Sequence, residues 1–239
     1  MLKNIRVVLV EPSHPGNIGS AARAMKTMGL HRLYLVNPKE FPHLEATALA
    51  SGASDVLEGA ICCSSLMDAL HGTVFSVAST SRHRELSHVV LNAKESAERL
   101  LSDSFVGDVA LVFGPERTGL SVEDASLCNA IAMIACNPQY SSLNLAQAVQ
   151  VFCYELALVS EEFLSTTFKG KRASPASHEE VEMLMMHLED VLIEVDFLKP
   201  KNPGRLMQRL RRLILRSDLE REEVNILRGF LGAVQKKGR

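Results

Sequence analysis

Ile5-Arg6-Val7-Val8-Leu9-Val10-Glu11-Pro12-Ser13-His14-Pro15-Gly16-Asn17-Ile18-Gly19-Ser20-Ala21-Ala22-Arg23-Ala24-Met25 opens the chain and decides its fold class. The first six residues, apolar but for Arg6, predict a strand buried on both faces, as in a parallel sheet. A turn rich in Pro and Gly follows, and then Ile18, Ala22 and Met25 recur at helical spacing, which predicts a helix over 17–28. Arg23 points about 130° away from that apolar stripe, where a plain surface arginine would also sit. The glycines are spaced GxxG, which matches neither the dinucleotide fingerprint nor a phosphate-binding P-loop. Small residues here let the helix pack closely or let a ligand approach its backbone.

The same alternation continues downstream. Strands are predicted over 32–36, 73–78, 109–113 and 131–135, with helical patterns over 45–52, 65–70, 92–101 and 121–128. The pattern over 145–159 is apolar nearly all round and predicts a helix buried on most faces. Alternating strands and helices define an α/β protein with a mostly parallel sheet, and connection rules alone would make it unknotted and doubly wound. Near residue 165 the composition changes. Residues 165–177 are polar, with Gly, Pro and three basic side chains, and read as a linker. Ser177 and Glu180 form a capping box for a helix whose stripe is Val181, Leu184, Met185, Leu188, Val191, Leu192 and Val195. Further helices are predicted over 205–216 and 220–235. The chain thus divides into a main domain (1–164), a linker (165–177) and a small helical domain (178–239), which should lean on the main domain or on a second subunit.

The 239 residues carry 46% apolar and 23% charged residues, the balance of a folded protein. No run approaches the ~18 apolar residues of a membrane span, and the amino-terminal residues lack a signal-peptide core, so a cytoplasmic location is expected. Five cysteines, two of them adjacent, do not make a disulfide framework and are expected as small buried hydrophobes. No ligand spacing for a metal is present. The net charge of −2 hides an asymmetry: residues 1–165 carry 11 basic against 17 acidic side chains, and residues 166–239 carry 15 against 11.

Ligands of open α/β sheets bind beyond the carboxyl ends of the strands, so the segments following the strands are the candidates. Ser79-Thr80-Ser81-Arg82-His83-Arg84 is a polar loop that could hold a phosphate backbone or simply be solvated. In Phe113-Gly114-Pro115-Glu116-Arg117-Thr118-Gly119-Leu120-Ser121 the glycines allow a backbone excursion, and Ser121 with Asp124 caps the next helix. A bland turn leaves the Glu116-Arg117 pair unexplained. Cys136-Asn137-Pro138-Gln139-Tyr140-Ser141-Ser142-Leu143-Asn144-Leu145 leads into the apolar helix, with Asn144 and Gln147 as its cap and two hydroxyls facing a polar ligand.

Taken together, Asn17-Ile18-Gly19 with Arg23, the 113–121 segment, and Ser142-Leu143-Asn144-Leu145 ending in Tyr154-Glu155-Leu156 resemble the three motifs of the SpoU/SPOUT RNA 2′-O-methyltransferases. The Met-x-Gly usual in the third motif is replaced by 136–141. That version, with Arg82, Arg84 and Asn225-Ile226-Leu227-Arg228-Gly229, is similar to the TrmJ-type subgroup. The resemblance implies a trefoil-knotted, Rossmann-like parallel sheet with a small C-terminal helical domain. It implies S-adenosylmethionine held by Ser79, Thr80, Ser81, Gly114, Ile134, Ser141, Ser142 and Leu143, and a homodimer whose site uses both subunits. It further implies methylation of the ribose of nucleotide 32, a C or U that opens the tRNA anticodon loop. Arg23 and Ser142 would be the catalytic pair, and Arg23, Arg82, Arg84, Glu116 and Arg117 would meet the RNA.

An arginine is a poor general base, so Arg23 is expected to clamp the target phosphate and ribose and stabilise the developing alkoxide. Arg205, Arg209, Arg212 and Arg216 recur along one helix face opposite Leu206, Leu210, Leu213 and Ile214, a stripe suited either to an RNA backbone or to pairing with acids such as Glu222 and Glu223. Two other functions compete: the same chemistry on ribosomal RNA, and a non-catalytic RNA-binding protein on the same scaffold.

Overall fold

Strand β1 (Ile5–Val10) is buried along its whole length. Its side chains alternate between faces, so Ile5, Val7 and Leu9 join one apolar cluster and Val8 and Val10 another. Each face needs its own cover of helices, which an unbroken apolar strand anticipates. The structure is a computed structural model that describes residues 2–81, 89–165, 174–199 and 204–237.

After β1 come α1 (Pro15–Thr27), β2 (Arg32–Val36), α2 (Leu44–Ala50), α3 (Ser54–Glu58), β3 (Ile61–Cys63), α4 (Leu66–Leu70) and β4 (Thr73–Ser79). The chain continues through β5 (Val89–Asn92), α5 (Ala93–Asp103), β6 (Asp108–Phe113), α6 (Val122–Ser126), β7 (Ala130–Met133) and α7 (Leu145–Ser165). It ends with α8 (His178–Glu194), α9 (Gly204–Arg216) and α10 (Arg221–Lys237). The described strands form one parallel sheet in the order β3-β2-β1-β6-β4-β7-β5. Late strands are inserted between early ones: β6 enters between β1 and β4, and β7 between β4 and β5. The carboxyl ends of β1, β6, β4 and β7 therefore lie side by side.

Two of these strands escape the sequence reading. β3 is three residues long, too short to show a period, and β5 merges with the Asn92 capping box that starts α5. The strand expected over 131–135 spans Ala130–Met133, and the helix expected over 121–128 shrinks to α6. Helix α7 is buried on most faces, as expected, with one narrow strip left open. Tyr154 and Leu158, four residues apart, are 49% and 41% exposed, while the opposite side packs on α1 and α5. Phe152 from that side meets Phe113 edge-on, with ring centroids 5.7 Å apart.

The GxxG spacing serves helix packing. A Cβ on Gly19 would lie 2.1 Å from the carbonyl oxygen of Ala46, so only glycine lets α2 lie this close to α1. Ile18, Ala22 and Met25 are fully buried as their spacing predicts, and Arg23 is exposed. Cys128 and Cys153 are buried, and burial pushes both thiols up to about 12. Cys62 and Cys136, expected inside, are exposed. At the amino ends of the strands Asp108 pairs with Arg6 and Arg32, each at 2.7 Å, tying β6 to β1 and β2.

The capping box of Ser177 and Glu180 forms as predicted, and α8, α9 and α10 bury their own cluster around Val181, Leu184, Leu215 and Val224. The apolar stripe of α9 is rotated from the expected one. Leu213 is 51% exposed, while Met207, Leu210, Ile214 and Leu215 face the cluster. The rotation turns Arg211 inward onto Glu182, to which its Nη2 donates at 2.9 Å. Arg205, Arg209 and Arg216 stay exposed and Arg212 half-buried. Glu223 caps α10 by accepting from the Glu220 backbone N–H at 2.8 Å. Val195, expected on the α8 stripe, is the exposed C-cap residue.

Candidate active site

A pocket opens at the carboxyl ends of β4, β6 and β7. Ser79, Thr80 and Ser81 line it after β4, residues 113–119 after β6, Ile134 and residues 141–143 after β7, and Leu145 and Ala148 from α7. All eight residues that the family resemblance assigns to a cofactor lie in this one lining: Ser79, Thr80, Ser81, Gly114, Ile134, Ser141, Ser142 and Leu143.

Local chemistry shapes each wall. The loop after β6 folds back on its own start, so a Cβ on Gly114 would lie 2.1 Å from the Leu120 nitrogen. Gly119 sits at φ +66 and its N–H donates to the Pro115 carbonyl at 2.8 Å, closing the turn. Ser121 then caps α6 by accepting from the Asp124 N–H at 2.9 Å. Thr80 N–H donates to the Ala132 carbonyl at 3.0 Å, fastening the exit of β4 to β7. Asn144 caps α7 by accepting from Ala146 N–H at 2.9 Å, and Gln147 Oε1 accepts from Asn144 N–H at 3.3 Å.

Glu116 is the hub. Its Oε2 accepts from the Ser13 N–H at 2.9 Å and from the Ser13 hydroxyl at 2.7 Å, and its Oε1 accepts from Asn17 Nδ2 at 2.9 Å and His14 N–H at 3.3 Å. Burial alone would raise its pKa; the bonds from Asn17 and Ser13 outweigh that and hold it at about 2. The Glu116 carboxylate, expected at the RNA, thus has both oxygens engaged within the chain. Asn17 passes the connection on, since its Oδ1 accepts from Asn144 Nδ2 at 2.9 Å. One amide so joins the three segments that carry the family resemblance. In the sequence Asn17 and Asn144 each stand within a motif, Asn144 also as a cap, and no local spacing announces that the two pair.

The other candidates fall in different places. Arg117 is exposed at the pocket rim and Ser142 is exposed within the lining. Arg23 is exposed on α1 and is not among the pocket-lining residues. Arg82 and Arg84 lie outside the described residues. Among the described residues no group of His, Cys, Asp and Glu could hold a metal ion, and no helix is long and apolar enough to cross a membrane.

Sheet and pocket together define an α/β protein with a partly polar pocket over the carboxyl ends of parallel strands, the place where open α/β sheets take their ligands. Residues 4–154 match the model of the SpoU rRNA Methylase family, and residues 179–239 match that of the tRNA methyltransferase TrmJ, C-terminal domain. The chain belongs to the SpoU rRNA methylase family. It is 44% identical to the tRNA (cytidine/uridine-2′-O-)-methyltransferase TrmJ of Cronobacter sakazakii, over 98% of this chain and 97% of that one. The crystal structure of TrmJ from Z. mobilis ZM4 covers 96% of this chain and 98% of its own, at 33% identity and a TM-score of 0.83. The SpoU methyltransferase AviRb from Streptomyces viridochromogenes, solved in complex with the cofactor AdoMet, shares the fold at 22% identity, over 66% of this chain and 60% of that one, with a TM-score of 0.52. The expected SPOUT-type α/β fold with a C-terminal helical part stands.

Proposed function

We propose that the protein methylates the ribose 2′-oxygen of nucleotide 32, a cytidine or uridine that opens the tRNA anticodon loop, with S-adenosylmethionine as methyl donor. The observation that carries this reading is the convergence of the eight assigned residues on one pocket whose walls are tied together by Glu116, Asn17 and Asn144. The full-length similarity to tRNA (cytidine/uridine-2′-O-)-methyltransferases supports tRNA over ribosomal RNA, as does the match of residues 179–239.

The lining fits the donor. Ile134, Leu143, Leu145 and Ala148 offer apolar surface to a flat base, while Ser79, Thr80, Ser81, Ser141 and Ser142 offer hydroxyls and backbone groups to a ribose and an amino-acid tail. The bound donor supplies an electrophilic methyl group. The ribose oxygen forms the new C–O bond as the S–C bond breaks, so the protein must align that oxygen and help it lose a proton. Arg23 clamps the nucleotide and stabilises the developing alkoxide, Ser142 hydrogen-bonds the reacting ribose, and Arg117 holds phosphate at the rim. Glu116 acts by positioning rather than by touching RNA.

Arg23 stands outside the lining of its own chain's pocket, which fits a homodimer in which each protomer's Arg23 serves the other's pocket. The exposed Tyr154 and Leu158 on α7 offer an apolar strip for that contact. Residues 1–164 carry the chemistry, 165–177 link, and 178–239 grip tRNA through Arg205, Arg209 and Arg212, in the cytoplasm where tRNA is processed. The test is to map ribose methylation on total tRNA from a strain lacking the gene and again after supplying the purified protein and S-adenosylmethionine. Methylation at nucleotide 32 should be missing and then restored; restoration elsewhere would overturn the reading.

A further inference from the structure

The C-terminal bundle meets the sheet through polar groups. The bundle's apolar core stays separate from the two that cover the sheet, and a cavity of about 270 Å3 lies at the junction, lined by Val74 and Asn129 on one side and Ala176 and Leu215 on the other. His178, the first residue of α8, is only 5% exposed and places Nε2 3.0 Å from Ser76 Oγ in β4. Ser76 bonds in turn to Asn129, whose Oδ1 accepts from the Ser76 backbone N–H at 2.9 Å and lies 3.1 Å from its hydroxyl. An ion pair between His71 and Glu179 and another between Arg99 and Asp218, at 3.0 Å, flank this chain.

The two strands so engaged lead straight to the pocket. Ser79–81 follow Ser76 in and after β4, and Ile134 follows β7, which starts next to Asn129. A group from the bundle is therefore bonded to β4 and, through Ser76, to the residue that precedes β7, and the carboxyl ends of these two strands form one pocket wall.

We propose that His178 is a positioning residue: buried and neutral, it latches the arginine-bearing bundle to β4 and β7, and proton uptake by its imidazole releases the bundle from the sheet. The charged groups acting on the imidazole favour the neutral form. Burial, Arg211 of α9 and Arg6 of β1 push its pKa down, Glu179 alone opposes them, and the result is about 4. Freed from the sheet, the ring regains its ordinary value of 6.5. The docked pKa is thus the lower one, so docking is fully stabilised above 6.5 and weakens as pH falls towards 4. Linkage makes the undocking constant rise about twentyfold between pH 7 and pH 5. That the latch matters for tRNA rests on the reading of the bundle as the tRNA grip; the latch itself does not.

The test compares full-length protein with His178→Gln, which keeps a hydrogen-bonding side chain but does not titrate, and with His178→Ala. Hydrogen–deuterium exchange of peptides covering β4 and the first turns of α8 reads the opening, and tRNA and S-adenosylmethionine affinities are measured beside it. Relative to His178→Gln at the same pH, the unmodified protein should open about twentyfold more at pH 5 than at pH 7, and its tRNA affinity should fall while cofactor affinity holds. His178→Ala should already be open at pH 7. An identical pH response in His178→Gln, or an imidazole titrating near 6.5 by NMR, overturns the latch. Opening without any change in tRNA affinity upholds the latch and counts against the bundle as the tRNA grip.

Discussion

Asn144 donates from Nδ2 to the Oδ1 of Asn17 at 2.9 Å, joining residues 127 apart in the sequence. Because Asn17 Nδ2 donates to Glu116, its amide has one acceptable orientation, and the segments after β1, β6 and β7 are tied together. Asn17→Asp puts a second carboxylate against Glu116 and removes the donor. It should cost about 2 kcal/mol, or about 5 °C in Tm, and weaken S-adenosylmethionine binding. Calorimetry with both readouts checks it. Asn17→Ala should be milder, since it adds no charge.

The Glu116 carboxylate gives the loop arrangement an acid limit. Its pKa in the folded chain is about 2, below the ordinary 4.5, so its stabilisation is complete above 4.5 and lost as pH falls through 2. Thermal scans across that window should show a steeper acid loss in the unmodified protein than in Glu116→Gln, which begins less stable and stays flatter. Parallel curves would contradict the assignment.

Gly114 and Gly119 bound the same loop for different reasons. A Cβ at 114 meets the Leu120 backbone, whereas at 119 it meets open space and only the positive φ resists it. Gly119→Ala should cost about 1 kcal/mol and leave cofactor affinity near normal. Gly114→Ala must push residues 119–120 away, and should cost about 3 kcal/mol and abolish cofactor binding. Titration calorimetry on both variants separates space from conformation.

Arg211 and Arg212 are adjacent on α9 but face differently. Removing Arg205, Arg209 or Arg212 should each lower the log–log salt slope of tRNA binding by about one unit with little change in Tm. Arg211→Ala should instead lower Tm, because it leaves Glu182 half-buried without its partner, and should spare the salt slope.

Strands with unbroken apolar runs, such as β1 and β6, and helices with a clean stripe, such as α1 and α8, were legible because burial on a regular element imposes a period. β3 and β5 were not, since edge strands this short impose none. The cofactor segments could be named from their motifs, but the partners of Glu116 lie about a hundred residues away and no local pattern encodes them. The rotation of α9 was misread because Leu206, Leu213 and Met207 compete for one face, and packing against α8 decides between them. Where Arg23 stands relative to the pocket is likewise a property of the assembled sheet.

The most direct measurement uses purified protein, labelled S-adenosylmethionine and two tRNA transcripts, identical except that one has 2′-deoxyribose at nucleotide 32. The account predicts methyl transfer to the first, none to the second, and loss of transfer in Arg23→Ala with cofactor binding retained. Equal transfer to both transcripts would contradict it.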